Sequence, residues 1–129
     1  MDASAEIRAP GAPAPKGAYS QAVRAGDFVF VSGQGPIDPK TGEIAGNTIE
    51  EQTELTLRNV EAIARAAGGS LDDVARVSAY LASIDDFPGY NAVYERMFTN
   101  RPRPARTTVG AALMGIRVEI DAVLHLPRS

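Results

Sequence analysis

The sequence predicts an α+β fold in a single domain, a mixed sheet of about six strands with two helices on one face. Three observations carry that expectation. The periodic segments run strand, strand, strand, helix, strand, helix, strand, strand. Each helical stretch has one apolar stripe. The 129 residues show no internal repeat and no internal linker, so residues 1–129 read as one domain. A chain of that length buries roughly two thirds of the surface it exposes when unfolded, which is enough for a proper core.

Residues 1–17 read as partly extended, and "APGAPAPKGA" at 9–18, rich in Pro, Ala and Gly, reads as a spacer. "YSQAVRA" and "FVFVSGQ" flank Gly26-Asp27, a Gly-first pair suited to a type II′ hairpin turn. In the second strand Phe28, Phe30 and Ser32 oppose Val29, Val31 and Gly33. Apolar residues on both faces predict a strand covered on both sides.

"TIEEQTELTLRNVEAIARAAGG" starts with Thr48 and has Glu51 three residues on, which predicts a capping box, and it stops at Gly68-Gly69. Its inner stripe is Ile49, Leu57, Val60, Ala64 and Ala67. "DVARVSAYLAS" at 73–83 follows as a strand, a βαβ-type crossover if the strands are parallel. A second helix is capped by Asp85 or Asp86 and has Pro88 in its first turn. Its apolar stripe, Tyr90, Val93, Tyr94, Met97 and Phe98, reads as core.

"RPRPARTTVG" at 101–110 is an extended, then β-branched stretch with an arginine inside it. Arg106, Thr108 and Gly110 share one face. "RVEIDAVLHL" at 117–126 alternates Val118, Ile120, Ala122 and Leu124 against Arg117, Glu119, Asp121 and Val123. If these two strands pair, Arg106 and Glu119 lie near one another on one side of the sheet. Two helices leave the other face of the sheet bare, and a second copy of the chain is the simplest cover for it.

Thirteen Lys and Arg against sixteen Asp and Glu give a net charge of -3, and no basic cluster occurs, so nucleic acid is not expected as a partner. There are no cysteines, hence no disulfide framework, thiolate nucleophile or cysteine metal site. No apolar run approaches the ~20 residues of a membrane span, and "MDASAEIRAP" does not resemble a signal peptide. No membrane association is expected, and the cytoplasm is the expected location.

His125 is the only histidine, so a zinc site would need carboxylates almost alone, and no metal is expected. Ser32 in "VSGQG" lacks the strand-to-helix elbow of nucleophilic serines. The "SGQGP" loop offers backbone N–H groups to an anion, a weak signal by itself. The Arg106 and Glu119 pair says more. A guanidinium fork binds a carboxylate through two parallel hydrogen bonds. A neighbouring Glu holds water or takes its proton. Together they suit a small carboxylic acid and a hydrolytic step without a cofactor. They suit an ordinary structural ion pair equally well.

"AYSQAV" at 18–23, "FVFVSGQ" at 28–34, "EQT" at 51–53, "NVEAI" at 59–63, "DDFPGYNAVYERMF" at 85–98, "RPAR" at 103–106 and "VEIDA" at 118–122 occur in the order and spacing of a known family. Over nearly its whole length the chain resembles the RidA/YjgF reactive intermediate deaminases. The resemblance implies a chorismate-mutase-like α+β fold and a homotrimer with sites in the clefts between subunits. It also implies hydrolysis of 2-imino and 2-enamino acids, such as 2-iminobutanoate and 2-iminopropanoate, to 2-keto acids and ammonia, with no cofactor. Arg106 matches the family's carboxylate-binding arginine and Glu119 its water-handling glutamate. Tyr19, Ser32, Gly33 and Asn91 match cleft-lining residues, and Thr108 falls where the family often has a cysteine.

Three departures stand out. Ala18 replaces a familiar proline, Thr108 replaces the cysteine, and the connection from Arg106 to Glu119 looks about two residues shorter than usual, with Leu113-Met114 in place of "LP". A shortening inside a strand would flip Glu119 to the opposite face, whereas one inside the turn would not. The alternatives to an imine deaminase are a trimer that senses a small carboxylic acid, or one that hydrolyses a different substrate in a catabolic pathway. An RNA-cleaving role runs against the acidic balance and the missing basic patch.

Overall fold

The structure is a computed structural model that describes residues 4–128. The strands are β1 (Ser4–Ile7), β2 (Ala22–Ala25), β3 (Phe28–Gln34), β4 (Val74–Leu81), β5 (Ala105–Gly110) and β6 (Val118–His125), and the helices are α1 (Ile49–Ala66) and α2 (Phe87–Met97). They form an α+β domain around a single six-stranded sheet of order β1-β2-β3-β6-β4-β5.

The local signals act where the sequence placed them. Gly26 takes φ 60 while Asp27 keeps a negative φ, as a type II′ turn requires. Thr48 accepts from the Glu51 N–H at 3.1 Å while the Glu51 carboxylate accepts from the Thr48 N–H at 3.2 Å, completing the capping box of α1. Past the C-terminus of α1, Gly68 adopts φ 96, and the Gly69 N–H closes the helix on the Ala64 carbonyl. Neither Asp85 nor Asp86 caps α2 through its side chain. Ser83 instead accepts from the Asp85 N–H at the head of a 3₁₀ turn that leads into α2. Asp86 is left to meet Arg117 at 3.6 Å.

β3 and β4 both lie antiparallel to β6, so they run parallel to each other with β6 between them, and α1 crosses over that central strand. α2 then joins β4 to its parallel neighbour β5. Both helices cover one face. Under them lie Val29, Val31, Leu57, Ile63, Val77, Leu81, Tyr90, Ile120 and Leu124, all buried. Each fully buried large aliphatic side chain contributes about 1.5–3 kcal/mol.

Four expectations are corrected. β3 is not covered on both sides within one chain, since Phe28 and Phe30 stand 43% and 48% exposed on the bare face. β5 and β6 do not pair, because β4 lies between them. The alternation of β3 breaks at a bulge: Val31 faces Ala122 and Gln34 faces Ile120, so one extra residue is accommodated and Gly33 turns to the bare face. The segment read as a spacer is anchored. Gln21, buried, accepts from the Ala9 N–H at 2.8 Å and donates to the Ala9 and Pro13 carbonyls at 3.0 and 2.9 Å.

The residues between Gly110 and Val118 lie outside both strands. Any shortening of that connection therefore sits in a loop, where Gly115 takes φ 79 and Met114 is exposed, and the registers of β5 and β6 against β4 are unbroken from Ala105 to Gly110 and from Val118 to Val123.

Candidate active site

Arg106 pairs in register with Val77, and Thr108 with Ala79, both on the helix side of β4. Arg106 and Thr108 therefore point toward α2. Because β5 is the sheet edge, α2 covers that face only partly, and the side chains are half-buried. Successive turns of α2 present Phe87, Tyr90, Asn91 and Tyr94 to them. The Arg106 guanidinium sits 4.4 Å from the Tyr94 ring centre and 5.6 Å from those of Phe87 and Tyr90. A cation over aromatic faces is attracted by the ring quadrupoles.

Arg106 Nη1 donates to Asn91 Oδ1 at 2.8 Å, and Asn91 Nδ2 donates to Glu95 at 2.8 Å. The Thr108 hydroxyl shares a 3.0 Å hydrogen bond with the Tyr90 hydroxyl. Among the described residues Arg106 forms no ion pair. Its guanidinium is thus fixed in place with donors to spare. Burial pushes the Tyr94 phenol up to about 12, an effect that the charge of Arg106 partly offsets.

Glu119 pairs in register with Tyr80, on the bare side of β4. Its carboxylate lies against the backbone of Gly33: a Cβ built there would stand 2.4 Å from Glu119 Oε2. Burial, and secondarily the charge of Asp121, raises the Glu119 pKa above the ordinary carboxylate value. Asp121 is itself held by the Tyr80 hydroxyl, which donates to it at 3.0 Å and is made less acidic by that bond. Gly33 also joins Tyr19, Lys16, Gln21 and Gly35 around a hollow of about 70 Å³. Tyr19 is exposed, and its hydroxyl accepts from the Lys16 N–H at 3.3 Å. Ser32 spends its hydroxyl on the Ser20 carbonyl at 2.7 Å.

The sequence-derived residues thus fall into two groups. Arg106, Asn91 and Thr108 come together beneath α2. Glu119 and Gly33 come together on the bare face, with Tyr19 beside Gly33 and Ser32 next to it in β3. The expected approach of Arg106 to Glu119 on one side of the sheet does not occur within a chain. Sequence reading took Tyr90 and Tyr94 for core alone, and Phe87 and Asp121 drew no assignment; the helical spacing of three aromatics around Asn91 was the available signal. Among the described residues no three metal-ligating side chains cluster.

The family model described as Endoribonuclease L-PSP matches residues 9–126. The chain belongs to the RidA/YjgF family. A RutC family protein of Saccharolobus solfataricus is 52% identical over 118 residues, covering 92% of this chain and 93% of its own. A protein of Dermatophagoides farinae named 2-iminobutanoate/2-iminopropanoate deaminase is 37% identical over 120 residues, with 92% and 93% covered. The crystal structure of the YjgF gene product from E. coli superposes with a TM-score of 0.88 at 36% identity, covering 94% of this chain and 98% of that one. The α+β architecture is therefore that of the RidA/YjgF proteins. No helix of the described residues is long and apolar enough to cross a membrane.

Proposed function

We propose that this RidA/YjgF protein hydrolyses 2-imino and 2-enamino acids to 2-keto acids and ammonia, with no cofactor and in the cytoplasm. The observation that carries the reading is Arg106: a guanidinium pinned by Asn91 and by three aromatic rings, with no carboxylate partner among the described residues. Such a group is preorganised for the carboxylate of a small acid. The name of the D. farinae relative supports the same substrate class.

Arg106 aligns the substrate by its carboxylate. Water adds to the iminium carbon and gives a proton to Glu119, whose pKa burial raises, making the carboxylate a stronger base than an exposed one. That proton passes to the amine, Glu119 then takes the remaining hydroxyl proton, and the C–N bond breaks so that ammonia departs as the C=O bond forms. The product is the 2-keto acid.

Since one chain keeps Arg106 and Glu119 on opposite faces, a second copy completes the site. The exposed Val23, Phe28 and Phe30 on the bare face support self-association. We assign a homotrimer, whose sedimentation mass is about three times the 13.6 kDa of the chain.

The test is release of keto acid from 2-iminobutanoate and 2-iminopropanoate, generated in place by an amino-acid oxidase in competition with semicarbazide. Wild type is expected to outrun the trap and Arg106→Ala to fail. Wild type matching the no-enzyme control would sink the deaminase reading and leave a sensor or a hydrolase of another substrate.

A further inference from the structure

We infer that the cleft beside Arg106 is built for a dicarboxylic imino acid, with Arg106 holding the carboxylate next to the reacting carbon and Arg103 holding the distal one. The inference rests on the deaminase reading and narrows its substrate class. The cleft, about 370 Å³, is lined by Asn91, Tyr94, Glu95, Arg103, Pro104 and Arg106. Two guanidinium groups therefore share it with a single carboxylate. Glu95 is already engaged by Asn91 Nδ2 and pairs with neither arginine. Two positive charges against one negative leave the lining at +1.

Each guanidinium is tethered at one edge only. Arg103 Nε donates to the Phe98 carbonyl at 2.9 Å, and Arg106 Nη1 donates to Asn91. The remaining donors of both forks are available, and the tethers lower the side-chain entropy lost when a ligand binds. Tyr94 lies in the field of both arginines, and its buried hydroxyl has no hydrogen-bond partner among the described residues. Burial keeps that phenol protonated at neutral pH, so it is a donor in a cleft already rich in donors.

Charge decides between substrates. A monocarboxylic imino acid is a zwitterion, iminium against carboxylate, and leaves Arg103 without a partner. A dicarboxylic one carries a net single negative charge, which complements the lining and answers both arginines. Exchanging the distal carboxylate for a hydrogen, as in 2-iminobutanoate against 2-iminoglutarate, forfeits a charge-assisted hydrogen bond.

The experiment compares 2-iminoglutarate with 2-iminobutanoate, each made in place by an amino-acid oxidase, by kcat/KM in the semicarbazide competition. Wild type is expected to favour the dicarboxylic substrate about tenfold, with that preference largely lost in Arg103→Gln and partly restored in Arg103→Lys. A wild-type ratio near one, or an equal fall on both substrates in Arg103→Gln, overturns the inference. A binding arm separates it from the deaminase reading: calorimetry with 2-oxoglutarate and 2-oxobutanoate involves no imine. If no imine is hydrolysed but 2-oxoglutarate binds about tenfold tighter than 2-oxobutanoate in wild type and not in Arg103→Gln, the dicarboxylate cleft stands alone. Equal binding of the two keto acids overturns it.

Discussion

Arg106 and Glu119 stand on opposite faces of one sheet. Arg106 is in register with Val77 and Glu119 with Tyr80, and those two residues point to opposite sides of the intervening β4. A substrate small enough to be held by Arg106 does not reach the Glu119 of the same chain, so the proposed chemistry requires two copies.

That requirement predicts complementation. Arg106→Ala and Glu119→Gln homomers are each expected to be inactive. Refolded together in equal amounts, they are expected to regain about a quarter of wild-type activity, because random assembly then puts an intact Arg106 opposite an intact Glu119. No recovery, or a monomer by sedimentation, would count against a shared site.

Arg106→Ala is expected to abolish deamination while costing about 1 kcal/mol of stability, the contribution of a half-buried cation over aromatic rings. Arg106→Lys keeps the charge but loses the fork, so thermal unfolding should recover more than activity does. Collapse of the fold in the alanine variant would make Arg106 a structural residue first.

Glu119 predicts a pH signature. Its folded pKa is raised, so its contribution to folding is present below the ordinary carboxylate pKa and is lost as pH rises through the raised value. The ionised side chain therefore works against the fold at neutral pH. Glu119→Gln should melt higher than wild type at pH 7, and the difference should close below about pH 4. In wild type kcat/KM should fall as pH drops through the same raised value, and Asp121→Asn should move that limb to lower pH by removing a neighbouring negative charge. An unmoved limb would dismiss Asp121 as an influence.

Gly33→Ala is predicted to damage activity more than stability. The added Cβ meets the Glu119 carboxylate at 2.4 Å, and the flexible glutamate is what gives way. Activity is expected to fall at least about tenfold with only a small change in melting temperature, since a displacement of this size costs positioning. Full activity in the variant would show that Glu119 need not sit where it does.

Local chemistry was readable from the residues. The Gly26-Asp27 turn, the Thr48 and Glu51 capping box, the Gly68 stop and the alternation of Val118 to Leu124 depend on neighbours a few positions away, so each was legible without a fold. The order of strands was not. Alternation tells which residues of one strand share a face, but not which strand lies beside it, and inserting β4 between β5 and β6 placed Arg106 and Glu119 on opposite sides.

The N-terminal segment shows the same division. Its Pro and Gly content marks extended chain, yet only the fold brings Gln21 to the Ala9 and Pro13 carbonyls. The sequence by itself determined the main helices and strands and the local turns and caps named above, and it singled out Arg106 and Glu119 as candidates, because those follow from short-range sterics, hydrogen bonding and periodicity. Tertiary structure alone decided the aromatic seat of Arg106, the bulge that sets Gly33 against Glu119 and the placing of Arg106 and Glu119 on opposite faces, because each depends on which distant segments pack together.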